Sequence, residues 1–162
     1  MHAHVAWHHY MARSYAEALA QAEQVVRMEP GFHWGYFFVG WALERLGRQS
    51  EAIATLKDAV RCSSNNPVML AGLGHALASS QDRKEALKVA RELERLRGDK
   101  GLFAYEIGLI HAALDEDEKA SAWLARAVQE RSGWIAYLRV DPRLDRLHDD
   151  PTFKRLLVDN RE

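Results

Sequence analysis

Apolar positions along the chain recur on two scales. Locally they fall at i, i+3, i+4 and i+7, the spacing of an amphipathic helix. At longer range the pattern returns every 34 residues: Glu17-Ala18, Glu51-Ala52, Glu85-Ala86 and Lys119-Ala120 stand in phase. Twelve residues before each alanine come Ala6, Gly40, Gly74 and Gly108, preceded by Val5, Val39, Leu73 and Ile107. Four and seven residues after it come Ala22 and Val25, Leu56 and Ala59, Ala90 and Leu93, and Leu124 and Ala127. Two small residues facing each other let two helix backbones approach closely, and the apolar residues a turn away fill the remaining space. The pattern predicts helix pairs over 2–12 and 15–28, 32–46 and 49–62, 66–79 and 83–97, and 101–114 and 117–131.

Turn chemistry supports these boundaries. Pro30-Gly31 closes the first unit, and Gly47 lies in the turn inside the second. Asn66-Pro67 reads as an N-cap followed by proline at the first helical position. Gly98 and Gly101 bracket the join between the third and fourth units. The units are expected over 1–30, 31–64, 65–98 and 99–131, with 132–162 as a separate tail. Asp141-Pro142 and Asp150-Pro151 start helices in that tail, predicted near 133–139, 142–147 and 151–159. A stack of repeats leaves its last apolar face bare, so the tail is expected to cap it with Trp134, Tyr137, Leu138, Leu144, Leu147, Phe153, Leu156 and Leu157.

The period and the residues at Tyr36, Val39, Gly40, Leu43, Ala52, Leu56 and Ala59 resemble the tetratricopeptide repeat. Pro30 occupies the closing proline position, where the other units carry Ser64, Gly98 and Ser132. The resemblance spans about residues 2–131 and implies an all-α, right-handed superhelical solenoid with a C-terminal capping helix. It implies a protein-binding scaffold without catalysis. The tail is similar to the C-termini of large bacterial signalling proteins, in which such repeats follow a cyclase, a kinase or a winged-helix regulator. That likeness leads us to expect a C-terminal piece of a longer chain.

Residues 32–41, FHWGYFFVGW, hold six aromatic residues in ten. In repeats of this type the first helix of each pair lines the concave face. Tyr36, Val39, Gly40 and Leu43 face the partner helix, whereas Trp34, Phe37 and Trp41 share a different stripe. Shifting that stripe by the repeat adds Ala3 and Trp7, then Val68, Ala71 and His75, then Leu102, Tyr105 and Leu109; Tyr10 and Glu44 extend it by a turn. The expected partner-binding groove is therefore Trp7, Tyr10, Trp34, Phe37, Trp41, Glu44, His75, Tyr105 and Leu109. So apolar a surface calls for an apolar peptide or helix, unless the rings cover one another or the tail folds across them. Family members that grip a C-terminal carboxylate use Lys, Asn and Arg where this stripe holds Trp, Ala and His. If the groove is open, Trp41→Ala is expected to harm binding more than stability. The alternative reading is self-association through the same face.

Charge narrows the partner classes. Lys and Arg number 22 against 23 Asp and Glu, which disfavours a nucleic-acid track. No apolar run reaches the roughly 18–20 residues that span a membrane, and the N-terminal pattern predicts no secretory signal. A single cysteine, Cys62, fits a reducing cytoplasm. His2, His4, His8 and His9 cluster, and His4 and His8 are spaced i, i+4 as in some metal sites, but no further ligand follows at a suitable interval. His75 and His111 have no partnered nucleophile in the sequence pattern, GLGH at 72–75 lacks the Lys-Ser/Thr of a phosphate loop, and DEDE at 115–118 reads as a helix start. No catalytic residue, cofactor or metal is expected.

Overall fold

The computed structural model describes residues 2–98 and 102–159. Four helical hairpins follow one another: α1 (His2–Met11) with α2 (Tyr15–Met28), α3 (His33–Arg45) with α4 (Gln49–Cys62), α5 (Pro67–Ser79) with α6 (Arg83–Arg97), and α7 (Ala104–Ala113) with α8 (Asp117–Gln129). Two 3₁₀ segments, Gly133–Tyr137 and Pro142–Asp149, then lead to α9 (Pro151–Asp159). The fold is an all-α solenoid. The first tail segment is a tighter turn than the predicted helix. Gly101, expected at the join of the last two units, lies outside the described residues.

The 34-residue columns are the contacts between paired helices. Ala18, Ala52, Ala86 and Ala120 are buried, as are all eight residues four and seven positions beyond them. A Cβ placed on Gly40 would lie 2.4 Å from Leu56 Cγ, and one on Gly108 would lie 3.0 Å from Leu124 Cγ. Gly74 is enclosed from two sides: its Cβ would meet Val89 Cγ1 at 2.6 Å and Ile110 Cδ1 at 2.8 Å. Replacing a mid-helix glycine ordinarily gains up to about 1 kcal/mol of helix propensity. Here crowding opposes that gain from the next helix and the next hairpin. Gly74→Leu is expected to destabilise by about 1–3 kcal/mol through overpacking, measured as a lower urea midpoint. An unchanged midpoint would mean that the hairpins separate more easily than these distances imply.

One further column sets the hairpin turns. Arg13, Gly47, Gln81 and Asp115, spaced by the repeat, all have positive φ, between 61° and 78°. Each is followed by a residue whose N–H donates back to a carbonyl of the preceding helix, as Arg48 does to Leu43 at 2.9 Å and Asp82 does to Leu77 at 2.9 Å. This is the Schellman closure, which satisfies carbonyls left over at a helix end. Helix starts use side chains: Asn66 Oδ1 accepts from Val68 N–H, and Asp150 Oδ1 accepts from Phe153 N–H.

Apolar packing forms two clusters. One runs through α1–α6 and takes in Ile107 and Ile110 of α7. The other joins α7 and α8 to the tail, where Leu138, Leu144, Leu147 and Phe153 are fully buried. The tail therefore covers the end of the stack, as the sequence pattern suggests, and it also extends further.

Candidate functional site

Residues of the predicted stripe come together on the inner face of the stack. Trp41 of α3 lies 5.2 Å from the Tyr10 ring and 5.8 Å from the Trp7 ring of α1, and 4.4 Å from Phe37. Glu44 reaches across to the next hairpin: Oε1 lies 2.9 Å from His75 Nδ1 and accepts from Ser79 Oγ at 2.8 Å. Burial would raise the Glu44 carboxyl; its contacts with His75 and Ser79 outweigh that and hold it below the ordinary glutamate value.

The inner face is covered along most of its length by the chain's own tail. Trp7, Tyr10, Phe37, Trp41, Glu44, His75, Tyr105 and Leu109 are all buried, and of the nine expected groove residues Trp34 alone is half-exposed. The covering piece is a polar clasp on an aromatic bed. Arg143 stacks over Trp41, with its guanidinium carbon 4.0 Å from the ring centre. The same guanidinium forks onto Asp141, Nε to Oδ1 at 2.9 Å and Nη2 to Oδ2 at 2.6 Å. Tyr105 donates its hydroxyl to Asp141 Oδ2 at 3.0 Å. The side chains of Asp141 and Arg143 are 0% and 5% exposed. Burial pushes Asp141 up, but the Arg143 charge and hydrogen bonds prevail and hold its carboxyl below the usual range. Burial raises the Tyr10 and Tyr105 phenols well above theirs. At the rim Arg13, in the α1–α2 turn, pairs with Asp145 at 2.6 Å, tying the tail back to the first hairpin. At the other end Arg146 pairs with Asp117 and donates to the Ala112 carbonyl.

Glu106 lies under the same tail and is 8% exposed. Burial raises its carboxyl above the ordinary value, only partly offset by a backbone hydrogen bond and the Arg143 charge. A carboxyl whose folded pKa is raised supports the fold below its unfolded value, and that support is lost as pH rises through the folded value. Glu106 therefore supports the fold less near neutrality than in acid. Glu106→Gln, which keeps shape and an acceptor, is expected to raise the thermal midpoint at pH 7. The gain should fade as pH falls towards about 4, the unfolded glutamate range. A less stable variant at pH 7 would show that the carboxylate makes contacts outweighing its burial.

One part of the aromatic surface stays open. A pocket of about 630 Å³ lies between α1, α2, α3 and the tail. Ala3, His4, Trp7 and His8 line it from α1, Val25 and Met28 from α2, and Glu29 and Phe32 from the following turn. Trp34 and Phe38 of α3 and Trp134 and Tyr137 of the tail complete it. Trp134, Tyr137 and Phe38 stand around Trp7 at 5.5, 5.0 and 6.1 Å, inclined to it by 58°, 90° and 52°. Five of these rings are only half-buried.

Sequence spacing found Trp7 and Trp34 but missed Phe38, which falls one position off the stripe. It also read Trp134 and Tyr137 as cap alone. Their aromatic character in an otherwise short apolar tail was the available signal. His4 and His8 line this pocket, and the side chain of His2 lies outside the described set. Among the described residues no three His, Cys, Asp or Glu side chains converge as a metal site, and no helix is long and apolar enough to cross a membrane. Cys62 is exposed.

A family model described as tetratricopeptide repeat matches residues 6–67 and 72–133, more than half of the chain. No curated protein and no solved structure matches it.

Proposed function

We propose, for a chain that belongs to the tetratricopeptide repeat family, that it binds an apolar segment of a partner protein in the aromatic pocket between α1, α2, α3 and the tail. Members of this family are in general protein-interaction modules. The observation that carries the narrower reading is the pocket itself: six aromatic residues around about 630 Å³, five of them half-buried. Exposed apolar surface of this kind is stabilised by a partner, and aromatic side chains are the usual anchors of interfaces. Buried Phe37 and Trp41 back the pocket, Phe37 against Trp34 and Trp41 against Trp7 and Phe38. Resemblance of the tail to bacterial signalling proteins supports a role as the binding arm of a larger protein.

The test is a selection of displayed random peptides on the chain, repeated on Trp34→Ala/Phe38→Ala. Selected peptides are expected to bury one anchoring side chain against the rings and to lose about tenfold or more in affinity for the double variant. Its thermal midpoint should fall less than that of Trp41→Ala, because both side chains keep some exposure that Trp41 lacks. Peptides that bind parent and variant equally would refute the pocket as the site. Light scattering over a concentration series addresses self-association: a dimer dissolved by the same substitutions would assign the pocket to a second copy instead.

A further inference from the structure

The inner face already holds one complete recognition unit: the Arg143 guanidinium sits over the Trp41 ring while its fork engages Asp141. An aromatic face presents negative charge to a cation, and a planar guanidinium can stack on it while reaching a carboxylate bidentately. The chain repeats this preference elsewhere, with Arg45 over Tyr15 and both Arg97 and Arg126 over Trp123. The open pocket has the same parts except the arginine. Among the described residues six aromatic side chains line it, together with His4, His8 and the acidic Glu29, and no Lys or Arg. Glu29 takes part in no ion pair among the described residues. Phe38, Trp134 and Tyr137 are each steeply inclined to Trp7, and Trp34 stacks on Phe38, so the rings wall a space instead of forming one flat stack.

We infer that the partner segment inserts an arginine side chain into this pocket, with its guanidinium against the rings and its fork on Glu29. The inference rests on the pocket being the partner site and adds the chemistry of the anchor. The arginine's methylene stem lies along the apolar wall, which reconciles a cationic head with an apolar pocket.

Citrulline has the shape of arginine without its charge, so it separates cation recognition from simple burial. N-acetyl-arginine methylamide and N-acetyl-citrulline methylamide are titrated into the full chain, following the indole N–H signals of Trp34 and Trp134 by NMR. The arginine probe is expected to bind about tenfold more tightly than the citrulline probe. Glu29→Gln should remove most of that advantage and leave the citrulline probe unchanged. Glu29 is exposed, so this variant is expected to fold as the parent does. Equal affinities, no response to either probe, or an arginine preference that survives in Glu29→Gln would overturn the inference. Displayed peptides that need Trp34 and Phe38, lack arginine and bind Glu29→Gln as tightly as the parent would overturn it alone and leave the apolar pocket standing. Absence of any peptide that depends on Trp34 and Phe38 would remove both.

Discussion

Arg143→Ala is expected to destabilise the protein by about 3–5 kcal/mol, the usual loss when one partner of a buried ion pair is removed. The remaining partner, Asp141, is 0% exposed and keeps only the Tyr105 hydroxyl and the Arg143 backbone N–H. Those donors do not replace the lost countercharge in a water-poor site. The substitution also lifts a cation from the Trp41 face. Urea unfolding at pH 7 measures the loss, and a midpoint equal to the parent's would refute the clasp. Asp141→Asn/Arg143→Met provides the internal control. With no charge left in the clasp, the double variant should recover part of the loss, and a double-mutant cycle with the singles Asp141→Asn and Arg143→Met isolates the coupling. The pH dependence has a definite sign. Because the folded pKa of Asp141 is depressed, its contribution is present above the unfolded value of about 3.9 and lost as pH falls through the folded one. The gap between parent and Arg143→Ala should therefore narrow in acid.

The clasp could not be read from the sequence, and the reason is physical. Asp141-Pro142 signals a helix start, and Asp141 does accept from the Arg143 N–H. Local chemistry explains that role fully and leaves no trace of the second one, 36 residues away at Tyr105. The hairpins were legible because each contact is short-range and repeated: Gly40 against Leu56 recurs as Gly108 against Leu124. The turns were legible only in part. Gly47 marks the left-handed position, but Arg13, Gln81 and Asp115 adopt the same conformation without a glycine. There the back-donated hydrogen bond of the next residue holds the turn, at a cost that glycine avoids and that is smallest for Asp115. Likewise the spacing placed Glu44 and His75 on one face but could not show that they satisfy each other.

Trp41→Ala is expected to lower stability by about 3–5 kcal/mol, as large-to-small changes at buried aromatic residues do. An open groove would have given the opposite ranking, with binding affected before stability. Burial reverses it: Trp41 is 2% exposed, between Phe37, Tyr10 and the Arg143 guanidinium. Trp34 belongs to the same stripe by spacing but faces the pocket half-exposed. The two tryptophans should therefore separate cleanly. Trp41→Ala should lower the urea midpoint strongly, and Trp34→Ala should weaken peptide capture with a smaller change in that midpoint. Trp41→Phe sharpens the test. Among the described residues nothing accepts from the buried indole Nε1, and an unsatisfied donor typically weighs against the fold by about 1–3 kcal/mol. Phenylalanine loses ring area and removes that donor, so its net cost should be well below that of alanine. If Trp41→Ala leaves the midpoint unchanged while abolishing capture, the tail does not hold the inner face closed in solution. In that case the whole stripe from Trp7 to Leu109, and not the pocket alone, would be the partner's binding surface.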